Sequence, residues 1–185
     1  MGPTERELWI LNFYRNSELH GALLMGKLAR TIGDADVIVP ATRHCATEAR
    51  HAAMLSETIA ALGGKIDPHV ESVQQRYSAA GGIPAALVDV LVLSEVLERR
   101  VLVTYRDHVT RDDVHPETAR TLRAILADME EEDHGEGGSW IERALAARPP
   151  DVIAAAERRW RAVDERVATE LSEMVAARFA AGRQA

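Results

Sequence analysis

Apolar residues recur at helical spacing along almost the whole chain, and strict two-residue alternation is absent. From Thr4 to Ile32 one stripe carries Leu8, Leu11, Tyr14, Ala22, Met25 and Leu28, which predicts a long amphipathic helix. Gly33-Asp34 closes it. A second helix is predicted from Asp36 to Leu62, with Pro40 close enough to its start to be tolerated, and Gly63-Gly64 as its stop. Residues 65–82 form a longer connection, with Pro68 and Gly81-Gly82 and a partly helical stretch around 70–78. A third helix is expected from Pro84 to His108, with Leu87, Leu91, Leu102 and Tyr105 on one stripe. A fourth is expected from Pro116 to about Ala147, weakened by Gly135, Gly137 and Gly138. Pro149-Pro150 breaks the chain. A fifth helix then runs from Asp151, a good N-cap, to about Ala180, with Ile153, Ala156, Trp160, Val163, Val167, Leu171 and Met174 along a packing face.

The lengths of the links turn this list into a topology. Short links force helices one and two, and helices three and four, to be antiparallel neighbours. The long link between two and three permits a crossover along the bundle. The expectation is therefore an all-α four-helix bundle over residues 1–148. The C-terminal helix, 149–185, would pack on the bundle or on a second copy of the chain in a homodimer.

Composition narrows the picture. The chain has 185 residues, enough for one sizeable core, and its hydrophobic content of 46% is ordinary. Aromatics make up 4%, and alanine and leucine dominate the apolar set, which suits helices. A formal net charge of -7, with basic residues interspersed among acids, argues against a nucleic-acid partner. The single cysteine, Cys45, excludes an intrachain disulfide and a cysteine zinc site. The first residues lack the apolar core of a signal peptide, and no apolar run is long enough to span a bilayer, so the expected setting is cytoplasmic.

The chemistry sits inside the predicted helices. Helix one carries Glu18 among Leu11, Tyr14, Ala22 and Met25; helix two carries Glu48-Ala49-Arg50-His51; helix three carries Glu95-Val96-Leu97-Glu98; helix four carries Glu131-Glu132-Asp133-His134. Residues three apart share a helix face, so a Glu-x-x-His pair can address one cation from one helix. With 18 glutamates and 7 histidines in 185 residues, chance supplies roughly 0.7 such pairs, so one pair alone carries no weight. Two pairs, in the second and fourth helices, with glutamates on mostly apolar stripes of the first and third, are more telling. An unpaired carboxylate there would cost several kcal/mol, and a metal ion removes that cost. Carboxylate and imidazole together suit iron. His44 reads as a capped or half-exposed histidine near the helix start, with an additional ligand or a donor to one as the alternative, Asp128 as a surface acid or a residue that orients a ligand, and Tyr14 and Tyr105 as core, with donation to a ligand or electron transfer as their alternative.

Glu18, Glu48, His51, a glutamate of helix three, Glu131 and His134 match the ligand pattern of the ferritin-like di-iron carboxylate superfamily, which the chain resembles over roughly residues 4–147. Within it, the Glu95-x-x-Glu98 pair resembles rubrerythrin, where an extra glutamate exchanges with the helix-two histidine as a ligand. That would make Glu98 the switching ligand and His51 its competitor. The stretch Arg76-Tyr77-Ser78-Ala79-Ala80-Gly81, followed by Leu87-Val88-Asp89-Val90-Leu91-Val92, is similar to the approach to helix three in the bacterial tRNA hydroxylases. In that register Glu98, not Glu95, is the ligand. The chain has no CxxC pair, so the rubredoxin domain of typical rubrerythrins is missing from this sequence.

The resemblance implies two iron ions, with manganese or a mixed pair satisfying the same ligands. It implies a monooxygenase or oxidase that uses dioxygen on a small organic substrate, with an electron donor the sequence does not identify. The alternatives it leaves open are a rubrerythrin-like peroxidase or ferroxidase that takes peroxide, and non-catalytic iron storage.

Overall fold

The computed structural model describes residues 3–133 and 139–180, and all regular structure among them is α-helical. The elements are α1 (Glu5–Thr31), α2 (Ala35–Ala61), α3 (Val73–Gly81), α4 (Leu87–Val109), α5 (Pro116–Asp133), α6 (Trp140–Ala146) and α7 (Pro150–Ala180). No helix among the described residues is long and apolar enough to cross a membrane.

The first two helices follow their sequence signals closely. The Thr4 hydroxyl accepts from the Glu7 amide at 3.1 Å and starts α1, and Asp34 caps α2 in the same way. α1 and α2 pack along each other, α2 against α5, and α4 against both α5 and α7. One core cluster joins these helices: Leu11 and Tyr14 of α1, Leu55 and Ile59 of α2, Tyr105 of α4, and Leu122 and Ile125 of α5 are all buried. The Thr58 and Thr121 hydroxyls, both buried, share a hydrogen bond of 2.7 Å between α2 and α5.

The connection from α2 to α4 is tied down by side chains of α1 at positions 12, 16, 17 and 20. Asn12 donates to the Lys65 carbonyl at 3.1 Å and accepts from the Asp67 amide at 2.7 Å. Asn16 donates to the carbonyls of Asp67, at 3.0 Å, and Val70, at 2.6 Å. The Ser17 hydroxyl accepts from the Val73 amide at 3.0 Å, and His20 Nδ1 lies 2.5 Å from the Ser72 hydroxyl. Ser72 then starts α3 with a capping box shared with Gln75. Because Asn12 and Asn16 are buried, their amides replace water for a stretch of backbone that has no ladder of its own. Asn16→Ala is therefore expected to lower the unfolding free energy by about 1–3 kcal/mol, read from urea melts, since it orphans two carbonyls.

Two sequence expectations change. The fourth helix is not continuous to Ala147. α5 ends at Asp133, and α6 starts afresh at Trp140, where Ser139 forms a capping box with Glu142. The third helix starts at Leu87 rather than Pro84, with Ala86 at its N-cap and no side chain capping it.

The C-terminal helix packs on its own chain. α7 lies on α3 and α4, where Trp160, Val163 and Val167 are buried with Tyr77, Leu91, Val92 and Leu97. Asp164 of α7 accepts from the Tyr77 hydroxyl and, in a two-pronged contact of 2.9 and 2.5 Å, from Arg100 of α4. Burial opposes the charge of Asp164, but the Arg100 and Tyr77 hydrogen bonds hold its carboxyl below the usual range.

Candidate metal centre

The middle turns of α1 and α2 face each other with polar groups where their ends face with apolar ones. Glu18, 5% exposed, and His51, 2% exposed, are among the most buried ionisable groups described. His51 Nδ1 lies 3.4 Å from Glu18 Oε2, and the Tyr105 hydroxyl of α4 donates to Glu18 Oε1 at 2.5 Å. Glu48, one turn before His51 on α2, lines the same cavity and lies close enough to feel the Glu18 carboxyl. Burial, then the Glu18 charge, pushes Glu48 up to about 8, with His44 opposing the rise. Two carboxyl groups this close in a dry site cannot both be anionic without a cation, and at neutral pH a proton fills that role.

The glutamate pair fits because of a glycine. A Cβ on Gly21 would overlap Glu48 Oε2 and lie 2.7 Å from its carboxyl carbon. Gly21 thus clears the surface of α1 onto which the Glu48 carboxyl lies. Glycine inside a helix is unfavourable by roughly 1 kcal/mol relative to alanine, so space here is obtained at the expense of helix stability.

The third and fourth contributors come from α2 and α4. His44 is 7% exposed, and its Nε2 lies 3.1 Å from Glu48 Oε1 and 3.3 Å from Glu98 Oε1. It is therefore not the half-exposed residue the sequence suggests: α2 begins early enough to carry position 44 under Trp140, whose ring centroid is 6.0 Å from that of His44. On the far side, His51 Nε2 is 3.4 Å from Asp128 Oδ2 of α5, and makes no hydrogen bond among the described residues. Arg50 holds the same Asp128 oxygen at 2.5 Å.

Of the residues singled out in the sequence, Glu18, Glu48, His51 and Glu98 line one cavity, and Glu95 and Glu131 lie away from it. Glu95 pairs with Arg99 and faces the charges of Glu142, Glu157 and Arg161, on the α6 and α7 side of α4. Glu131 is exposed, one turn beyond Asp128, because α5 has run past the cavity by that point and ends two residues later. His134 lies outside the described residues. Gly21 is what sequence reasoning passed over, and His44 and Asp128 were weighed there only as secondary to the six-residue pattern. The signal for Gly21 was present, a glycine three residues after Glu18 in the middle of a strong helix. Asp128 stood out only by its place three residues before Glu131, which did not decide between a surface acid and a residue that orients a ligand.

A cavity of about 60 Å³ touches this cluster, walled by Met25, Leu97, Leu102, Met129 and Trp140 together with Glu18, Glu48, His51 and Glu98. It is the size of a few water molecules. Beyond Glu18 the buried groups continue as a chain. The Tyr105 and Tyr14 rings are 4.6 Å apart, and the Tyr14 hydroxyl is 3.2 Å from His108 Nδ1. Burial raises both tyrosine hydroxyls well above their ordinary range and lowers His108, so all three groups are neutral at neutral pH.

Carboxylate and imidazole are the donor types that hard or borderline cations take. Three carboxyl groups and two imidazoles line one cavity, burial and the Glu18 charge favour the protonated form of Glu48, and His51 Nε2 is a buried nitrogen without a hydrogen bond among the described residues. Among the described residues no three of these groups already converge on a single point at ligand geometry. Comparison with protein-family models and with curated proteins gives no match.

Proposed function

We propose that the chain is a ferritin-like di-iron protein. In this reading α1, α2, α4 and α5 are the four helices of the bundle, the segment carrying α3 is its long crossover, and the activity is oxygen-dependent oxidation or hydroxylation of a small organic substrate. The observation that supports it is the meeting of Glu18, Glu48, His51 and Glu98, drawn from three helices, around a carboxyl pair that needs a positive charge. These four residues, with Asp128 or the later acid Glu131 and His134 from the α5 end, would hold the metal. A pair of iron ions bound there supplies the electrons that reduce dioxygen.

The chain's own part is positional. The Tyr105 hydroxyl fixes one oxygen of Glu18 and leaves the other free to face His51. His44, hydrogen-bonded to Glu48, orients that carboxyl and ties it to Glu98. Met25, Leu97 and Trp140 line the cavity with apolar surface, which lowers the local polarity around the charged groups. The cavity of about 60 Å³ has room for dioxygen beside the cluster and no room for a large substrate, so an organic molecule must reach it from elsewhere.

Anaerobic titration with Fe(II), followed by metal analysis after gel filtration, tests the reading. About two irons per chain are expected, with His51→Ala and Glu48→Ala each lowering affinity by more than the 10–100-fold typical of a residue one step removed from the metal. Admission of oxygen to the loaded protein should then oxidise the iron with a ligand-to-metal absorption band. Iron retention equal in wild type and both variants would place the metal elsewhere and sink the proposal. Retention of many irons per chain in a large hollow assembly would favour storage instead.

A further inference from the structure

A second cavity, of about 580 Å³, lies against the opposite side of Leu24 and Gln74 from the metal centre, and those two residues line both spaces. It runs between α1, α3 and the start of α4, and its size is within the 300–1,000 Å³ of ligand pockets. Its walls are mostly apolar, with Leu28, Leu87 and Val90 prominent. Its charge is unusual for this molecule. The chain carries -7 overall, yet among the described residues no aspartate or glutamate lines this cavity. The charged side chain that does is Lys27, one of two lysines in the whole sequence, exposed and in no ion pair among the described residues. At the threshold between the two spaces, Gln74 donates to the Ser17 carbonyl at 2.9 Å, while its buried Oε1 accepts no hydrogen bond among the described residues.

We infer that this groove seats the substrate, and that the substrate is an elongated amphipathic anion: a headgroup such as a carboxylate against Lys27 and an aliphatic chain running along α1 toward Leu24. Lys27 is nine residues from Glu18, an axial distance of about 14 Å on a helix, which a medium-chain acyl group spans. The apolar walls favour the chain by burial, the absence of acids spares the headgroup repulsion, and Lys27 selects its sign. Leu24 and Gln74 form the partition through which the chain end would approach the cluster. The binding stands on the groove alone; the claim that the bound molecule is a substrate rests on the oxidative reading above.

Decanoate, decan-1-ol and decyltrimethylammonium, titrated calorimetrically into the full chain with and without Fe(II) under anaerobic conditions, test it. Decanoate should occupy one saturable site, with the alcohol weaker by about tenfold and the cation not binding there. Lys27→Glu should remove the preference for decanoate over the alcohol while leaving iron stoichiometry unchanged. Val90→Trp and, separately, Ser78→Trp should block both ligands by filling the groove. Equal affinity for decanoate and the alcohol, indifference to Lys27→Glu, or binding that survives both tryptophans in folded protein would overturn the inference. Decanoate binding without any iron binding would overturn the oxidative reading and leave the groove intact; iron binding with no decanoate site would do the reverse.

Discussion

Gly21→Ala is expected to make the metal-free protein more stable and its hold on iron weaker. The two effects have separate causes at one position. Gly21 is in the interior of α1, so alanine there stabilises the helix by up to about 1 kcal/mol. The added Cβ overlaps only the Glu48 carboxyl, the far end of a flexible side chain, and no backbone atom lies among its nearest contacts. The helices can keep their spacing while Glu48 turns away from Glu18 and His44. Freed from its close carboxyl neighbour, Glu48 also loses a cause of its raised protonation. Iron affinity should fall by about 10–100-fold, as when a metal ligand's orientation is lost. The control is Gly26→Ala on the same helix, whose Cβ would meet Cys45 Sγ at 3.3 Å and nothing of the cluster. It should alter the melting temperature without changing iron affinity. Unchanged iron affinity in Gly21→Ala would mean that the Glu48 carboxyl, as placed against α1, takes no part in binding.

The same residues show what a sequence can reveal and what it cannot. α1 and α2 were legible because their apolar stripes and their stops, Gly33 and Gly63-Gly64, are local signals. The α7 stripe was equally legible, and Trp160, Val163 and Val167 are buried as its spacing predicts. The pairing of Glu48 with His51 follows from helical geometry alone, and both reach the cluster. The choice between Glu95 and Glu98 did not follow, because residues three apart differ little in direction. What parts them is α6 and α7, whose Glu142 and Arg161 face Glu95 and whose placement no local pattern encodes. The Asn12, Asn16 and His20 series on α1 was visible as polar positions four apart. Its meaning required knowing that residues 65–72 lie across it. Read as sequence these positions are merely a polar stripe; in the fold they tie the backbone of an exposed connection to α1. His44 was misjudged for a related reason, since its burial depends on Trp140, nearly a hundred residues away.

Trp160→Ala should be the most damaging single truncation in the C-terminal helix, lowering unfolding free energy by about 3–5 kcal/mol. Trp160 is fully buried between α3, α4 and α7, and its indole N–H donates to Asp89 Oδ1 at 3.1 Å. The truncation leaves a cavity, strips a donor from Asp89, and removes the ring beneath the Arg159 guanidinium, which sits 4.7 Å from its centroid. For a chain of this size the melting temperature should drop by roughly 6–20 °C. Iron stoichiometry measured well below that temperature should survive, since Trp160 does not line the cavity beside Glu18 and Glu48. A converse change isolates the contact. A Cβ on Gly81 would lie 2.7 Å from the Trp160 ring and 2.9 Å from Val163, both rigid groups that cannot swing aside as Glu48 can. Gly81→Ala should therefore destabilise, although the same substitution at Gly21 stabilises. In a Trp160→Ala background the closer of the two clashes is gone and only Val163 opposes the alanine at 81, so its penalty should shrink, a coupling of about 1–3 kcal/mol in a double-mutant cycle. Additive effects would show that α7 does not press its tryptophan onto the end of α3, and the packing described for the C-terminal helix would then be wrong.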